Sequence, residues 1–329
     1  MELLSNHKQS VQFDLVQGEG PLKELESLLS RSFKVPEGAS FYDDFPVWDA
    51  HYGAKVFRVG AYSQGKLVSS ASIRLASLKT PTCPIPVAIL GSVVTEEGWK
   101  GRGLASQSVS LVMTWAREQG AVMALLWGSE YELYHRQGFE LCGMQVRVPL
   151  NTLVECRLSA GDSIAKGWKP EILSAMEKRP EGLAIGYMDR KWMPAHKNVA
   201  WWSLERDGKL QAFAGMGRGI DLPKMVHEWG GNPDDLKKIL SVIRAEVPDA
   251  ELIGSPFVLD RNAIAYPPSA MEYLCMAKVL NGEQLFLGFH PDKPYNLGSL
   301  SDQEVALILL GPSATEPAIP LWLWGLDGA

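Results

Sequence analysis

The sequence has little cysteine, and none of it is arranged for chemistry. Cys83, Cys142, Cys156 and Cys275 include no C-x-x-C pair. Each lies in apolar or strand-like surroundings, which favours buried free thiols in a reducing cytoplasm over disulfides. The six histidines lack metal-ligand spacing, so no metal is expected. No apolar run reaches the ~20 residues needed to cross a bilayer. Residues 1–10 are polar where a secretory leader needs an apolar core. Positive charge is short as well: 32 Lys and Arg stand against 38 Asp and Glu, a net charge of −6. Such a chain is a poor binder of nucleic acid or anionic membrane and a reasonable host for an amine.

What is present is a long globular chain. Its 329 residues, 46 % hydrophobic, suit two domains, or two and a tail. The order is mixed α/β. Residues 11–16, 55–62 and 66–76 alternate as strands, and 21–33 has helical spacing. Residues 87–95 form a near-continuous apolar run, as in a central strand buried on both faces. Ala105, Val109, Val112, Met113 and Ala116 mark one face of a helix that Gly120 stops. Residues 122–127 read as a second buried strand, and Ser129 with Glu132 as a capping box opening a short helix that ends at Gly138. Residues 139–150 alternate again.

The remainder resembles a repeat of the first part. Gly208-Lys209-Leu210 echoes Gly65-Lys66-Leu67 after a hairpin turn. A strand at 224–229, a helix capped by Asn232 with Pro233 in its first turn, and a strand at 251–255 repeat the earlier order. The chain divides as 1–150, 151–280 and 281–329. The last part holds a short helix near 304–310 and an apolar, Trp-rich tail at 320–329 that should pack back on the domains.

The chemistry concentrates in residues 98–105, Gly-Trp-Lys-Gly-Arg-Gly-Leu-Ala. This loop joins a buried strand to a helix. Its glycines let the backbone turn tightly, the first helical N–H groups are free, and Lys100 and Arg102 add charge. The sum is a diphosphate site. It matches neither the G-x-x-x-x-G-K-[ST] loop nor the G-x-G-x-x-G fingerprint.

With Val93-Val94-Thr95 before it, the loop Lys100-x-x-Gly103-x-Ala105 resembles the [RQ]-x-x-G-x-[GA] motif of the GNAT superfamily, with Lys at the first position. Downstream, Leu133-Tyr134-His135-Arg136-Gln137-Gly138-Phe139 is similar to the family's L-Y-x-x-x-G-F pattern. The resemblance implies a GNAT fold over the first domain, a second, degenerate GNAT-like domain, and acetyl-CoA as cofactor. It implies that Val93, Val94 and Thr95 meet the pantetheine, and that Lys100, Gly101, Arg102, Gly103, Leu104, Ala105 and Ser106 surround the pyrophosphate. Tyr134 would donate a proton to the departing thiolate, with His135 a solvated neighbour.

The base that takes the amine's proton stays open between Asp43, Asp44, Asp49, water and a terminal carboxylate at Ala329. The last is suggested by a likeness to two-domain proteins of the Enhanced Intracellular Survival family, whose third domain this chain lacks room for. Phe41, Tyr42 and Trp48 would wall an acceptor pocket or fill a core. In the second domain Asp234 and Asp235 stand where phosphates would go, so it should hold no coenzyme A. That domain should instead shape the acceptor cleft or an oligomer interface. Gly215-Met216-Gly217-Arg218-Gly219 reads as a close-packed strand or bulge. The expected activity is N-acetyl transfer from acetyl-CoA to a primary amine by direct attack in a ternary complex. The acceptor would be a polyamine, an aminoglycoside-like compound or a peptide amine. The rival is an acyl-CoA-binding regulatory protein without catalysis.

Overall fold

A computed structural model describes residues 10–311 and 319–328. Short 3-10 turns aside, the chain first runs β1 (Val11–Leu15), α1 (Glu19–Ser32), α2 (Phe41–Asp44), β2 (Val56–Ser63), β3 (Lys66–Leu78), β4 (Ile85–Thr95), α3 (Leu104–Glu118), β5 (Met123–Leu126), α4 (Tyr131–His135) and β6 (Glu140–Pro149). It then repeats the same order: β7 (Asp162–Lys166), α5 (Pro170–Glu177), α6 (Asp189–Trp192), β8 (Ala200–Arg206), β9 (Lys209–Met216), β10 (Met225–Gly231), α7 (Pro233–Glu246), β11 (Glu251–Gly254), α8 (Pro256–Arg261) and β12 (Met271–Val279). Helices α9 (Gly282–Phe289) and α10 (Asp302–Leu310) follow. No helix among the described residues is long and apolar enough to cross a membrane.

The duplication extends to details. The turns Gln64-Gly65 and Asp207-Gly208 both have positive φ at each position, the geometry that joins twisted strands in two residues. Both hairpins carry a bulge at the same place, and its carbonyl takes the same partner: Val68 accepts from Glu96 N at 2.8 Å and Gln211 from Asn232 N at 2.9 Å. Gly138 and Ala263 end equivalent helices at φ +87° and +50°, with Phe139 N on Tyr134 O and Ile264 N on Leu259 O. By that register the second half has leucine where the first has Tyr134.

The twelve strands form one sheet in the order β1-β2-β3-β4-β5-β12-β6-β11-β10-β9-β8-β7. Each half therefore gives its last strand to the other. β12 pairs antiparallel with β5 on one side and β6 on the other, and β6 with β11. At this junction Cys142 and Cys275 face each other, buried, with sulfurs 3.7 Å apart. Burial holds the Cys275 thiol well above its ordinary value. Of the other thiols, expected to be buried, Cys83 is exposed and Cys156 half-buried. Both sit in connections, where no sheet face covers them.

In each half the fourth and fifth strands are parallel but paired at only two positions, then diverge: Ala88–Ala124 and Ile89–Leu125, then Met225–Glu251 and Val226–Leu252. In the second half the wedge is filled. Trp229 donates across it to Ile253 O at 2.9 Å, and the apolar tail returns along β10. Leu326 N donates to Glu228 Oε1 at 2.8 Å, and Trp322, Leu323 and Trp324 are buried.

Two acids anchor this tail. Burial pushes Glu228 up, but the Arg179 guanidinium beside it and His227 hold it below the ordinary range, so it stays ionised. Asp327 is fully buried; burial first and the Glu228 carboxylate second push it up to about 7. That outweighs N–H groups of Leu183 and Trp324, both at 3.0 Å, and Arg74. Against an unfolded value near about 3.9, neutral Asp327 stabilises the fold fully below that value. The contribution fades as pH rises to about 7. Asp327→Asn should remove this loss, so the stability difference between variant and parent shifts in the variant's favour from pH 4 to 7 and is flat above, read by denaturant unfolding at stepped pH. Separately, Ala263→Gly should stabilise by about 0.5–1 kcal/mol: relief of about 1–2 kcal/mol of left-handed strain, less about 0.4–1 for the freer unfolded chain. The midpoint of urea unfolding reads it.

Candidate active site

The wedge between β4 and β5 is open. Ser92, at φ +51°, sits at an irregularity in β4, and beyond Ile89 the β5 side of β4 has no strand partner. The chain then passes a 3-10 turn at Glu97–Trp99 and reaches α3 through Gly101 and Gly103, at φ +75° and +76°. A Cβ at Gly101 would meet nothing within 4 Å, so glycine serves the backbone conformation there, not space. Gly103 caps α3 and no side chain takes its first N–H groups; the ladder starts with Gln107 N on Gly103 O at 3.1 Å. The amides of Leu104, Ala105 and Ser106 thus precede the helical ladder, at the positive end of the helix dipole.

A cleft of about 530 Å³ follows this loop. It is lined by Val93, Val94, Thr95, Lys100, Gly101, Gly103, Leu104, Ala105, Ser106 and Tyr134, and also by Trp99, Glu130, Leu133 and Arg136. Arg102 does not line it. Its guanidinium lies 4.5 Å over Trp99 and donates to Gly98 O at 3.2 Å. Lys100 rests on Glu97 at 2.6 Å, both exposed. Surface pairs of this kind are worth at most about 1 kcal/mol, so the lysine is readily recruited by a stronger anion.

A second cleft, of about 390 Å³, lies on the other side. Phe33, Phe41, Phe45 and Trp48 wall it from the α1–α2 region, Trp127, Gly128 and Ser129 from the end of β5, and Arg218 and Asp221 from the second half. The two clefts share Val93, Val94, Thr95, Lys100, Glu130 and Tyr134. Tyr134 is buried, edge-on to Phe139, and its ring packs over Gly128, where a Cβ would stand 3.0 Å away. Burial, with the Glu130 carboxylate adding to it, pushes the phenol up to about 12. The Glu130 carboxylate takes no hydrogen bond or ion pair among the described residues.

The capping box expected at Ser129 does not form. α4 starts at Tyr131 after Glu130, without a side-chain cap, and Ser129 O accepts from Tyr131 N at 3.0 Å. With the Tyr134 ring over Gly128, the chain enters the helix late and Ser129 is left on the cleft wall.

The acidic loop divides. Phe41 and Trp48 line the second cleft, whereas Tyr42, Asp43 and Asp49 line a separate cavity. Asp43 pairs with Lys197 at 2.7 Å, and Asp49 caps the turn at His51. Asp44 is buried and accepts from Asn198 Nδ2 at 2.5 Å and Ile220 N at 3.1 Å, clamping the halves together. His135 stacks on Tyr131 and meets Glu140 at 3.1 Å. Ala329 lies outside the described residues. Gly328 before it is buried, and its carbonyl and that of Gly325 accept from Arg218. The run 215–219 is the packed end of β9 and the residues just after it, with Gly215 under the Trp201 ring and Gly219 against Asp44.

Glu130, Trp127, Phe33, Phe45, Arg218 and Asp221 escaped the sequence reading. Glu130 had a signal, one helical turn before Tyr134. Arg218 and Asp221 had none, because they arrive from the other half.

The equivalent helix start in the second half is closed to anions by its own side chains. Asn232 Oδ1 accepts from the amides of Asp234 and Asp235 at 3.0 and 3.3 Å. Asp235 pairs with Arg206 and Lys238, which also hold Asp162.

Residues 18–142 match the family model described as the acetyltransferase (GNAT) domain. None of the curated proteins matches the chain. Among solved structures, a GCN5-related N-acetyltransferase from Kribbella flavida is 17% identical, with 85% of this chain and 74% of that one covered and a TM-score of 0.60. Eis1 from Mycobacterium abscessus is 13% identical, with 85% and 76% covered and a TM-score of 0.57. A tandem GNAT protein from the clavulanic acid biosynthesis pathway is 10% identical, with 82% and 99% covered and a TM-score of 0.50. These likenesses extend over both halves of the chain, as one fold laid down twice. Residues 18–142 thus carry the match to the acetyltransferase (GNAT) domain, and the fold over both halves is similar to that of a solved tandem GNAT protein.

Proposed function

We propose that this protein transfers the acetyl group of acetyl-CoA to a primary amine by direct attack, with residues 1–150 as the catalytic unit. The observation that carries this reading is the meeting of two clefts at Tyr134 and Val93-Val94-Thr95, one behind a free helix N-terminus and the other bare of it. The first fits a diphosphate-bearing thioester: glycines without side-chain obstruction, unpaired amides and a recruitable lysine. The pantetheine arm would lie along the unpaired edge of β4. In this reading residues 151–280 contribute a wall, through Arg218 and Asp221, and 281–329 pack back over both units. A cytoplasmic location is part of the same proposal.

The amine enters from the second cleft. A lysine-like amine has a pKa near about 10.4, so at neutral pH only about one molecule in a thousand is neutral. Glu130, bordering both clefts and unpaired, takes the ammonium proton, which frees the nitrogen lone pair to attack the thioester carbonyl. Tyr134 donates to the sulfur as the carbon–sulfur bond breaks. A phenol at about 12 stays protonated throughout the working range, and the burial that raises it raises the thiol of the leaving group too, which keeps the pair matched. Ala329 is the second candidate base, on the ground that Arg218, which lines the acceptor cleft, donates to the carbonyl of the preceding Gly328.

Tyr134→Phe should lower kcat by about a hundredfold or more with acetyl-CoA affinity unchanged, read by thiol release and calorimetry. Unchanged kcat would remove the acid role, and acetyl-CoA binding without turnover on any amine would leave a regulatory protein. Glu130→Gln should depress kcat and steepen its dependence on pH below the amine's pKa. Deleting Ala329 in a folded protein should do so instead if that residue holds the base, and only one of the two variants should show the effect.

A further inference from the structure

The acceptor cleft carries a statement about which amine it takes. Its inner wall is a row of rings. Phe33 and Phe41 have centroids 5.2 Å apart, and Phe41 stacks on Phe45 at 4.7 Å. The Arg218 guanidinium closes the row, 5.1 Å over Phe45. Trp48 packs so tightly on β4 that a Cβ at Gly91 would lie 2.3 Å from its ring. Trp127, 36 % exposed, lines the same cleft and packs on Gly328, where a Cβ would come within 3.2 Å of the indole.

The charges lining the cleft are few and balanced. Lys100 and Arg218 are set against Glu130 and Asp221. Arg218 already engages Asp221. One carboxylate, Glu130, is left for an incoming ammonium. A polyamine or aminoglycoside brings several ammonium groups; beyond the first, each would lose hydration with no free carboxylate on the cleft wall to meet it. The carboxylates that would suit a polycation sit elsewhere. Glu19, Glu26, Asp43 and Asp49 line a cavity of about 370 Å³ that shares no residue with the acceptor cleft. Two of them are paired, Glu19 with Lys23 and Asp43 with Lys197.

We infer that the acceptor is a monoamine on a flat or bulky apolar body, of the arylalkylamine class, and not a polycation. Its ring lies between the phenylalanine row and Trp127, and its single ammonium approaches Glu130. Aromatic pairs add about 0.5–1.5 kcal/mol beyond area burial, and a cation over a ring about 0.5–1. A volume near 390 Å³ is at the small end of ligand pockets. This inference rests on the reading of the site as an acetyl-transfer centre.

The experiment uses the full chain. Thiol release from acetyl-CoA is followed with 2-phenylethylamine, tryptamine, spermidine and kanamycin, and calorimetry measures each amine's binding to the protein saturated with coenzyme A. The expected result is a kcat/KM for the arylalkylamines at least about tenfold above that for the polycations. Trp127→Ala, and Phe33→Ala at the exposed end of the row, should raise the arylalkylamine KM more than they change kcat. Faster turnover or tighter binding of spermidine or kanamycin overturns the inference and leaves acetyl transfer standing. So does an arylalkylamine KM that neither substitution moves. Calorimetric binding of arylalkylamines with no thiol release from any amine supports the cleft's selectivity and sinks the transfer reading.

Discussion

The structure depends on one exchange: each half completes the other's sheet. Among the described residues β12 is the only strand that touches β5 on its outer side, and without it β5 is a four-residue strand held by two parallel pairs to β4. Those two pairs are what allow β4 and β5 to diverge, and the divergence is the cleft. A strand so weakly held on one side must be held firmly on the other if α4, and Tyr134 with it, is to stand still. The four antiparallel pairs to β12 do that, and β12 is fixed in turn by β6. The geometry of the catalytic candidate is therefore set by residues about 140 positions away.

The same duplication produced opposite results at its two wedges. In the first, glycines leave the helix N-terminus bare and the wedge stays open. In the second, Asn232 caps the helix, two aspartates are locked by Arg206 and Lys238, and Trp229 and the tail fill the gap. The position of Tyr134 has become Leu259, and Gly138 has become Ala263 at a backbone conformation that suits glycine. The second half has traded a ligand site for a support. Its Arg218 and Asp221 line the second of the two clefts beside Tyr134, and its β10 holds the tail.

The sequence carried the local features. The turn glycines, the cap at Asn232, the buried strand before residue 98 and the free helix start after it are all set by residues within a few positions of one another. The tail's burial was readable from its composition, since Trp322, Leu323 and Trp324 gain too much from leaving water to remain in it. Strand partners were not readable. Alternation marks a strand and its faces but not its neighbour, so 139–150 gave no sign of its partners, and 271–279 was not read as a strand. The aromatic loop was legible only in part. Phe41 and Trp48 face the cleft and Tyr42 faces away, because that depends on how two short turns are set against α1 and the second half. Glu130 escaped for a related reason: the acidic loop was conspicuous, and the carboxylate that borders both clefts stands alone, one helical turn before the tyrosine.

Strand exchange also fixes the order in which the chain can mature on a ribosome. When the first half has emerged, β5 and β6 have no completed sheet to join, because the strand that belongs between them is the last of the second half. Two edges rich in buried apolar residues must wait, unpaired, while about 120 more residues are synthesised, at roughly 5–20 residues per second a delay of about 6–24 seconds. The nascent first half is thus an incomplete sheet that holds its edges open for its own continuation. Closure comes as a single late event in which both halves, the cleft and the wall supplied by the second half appear together.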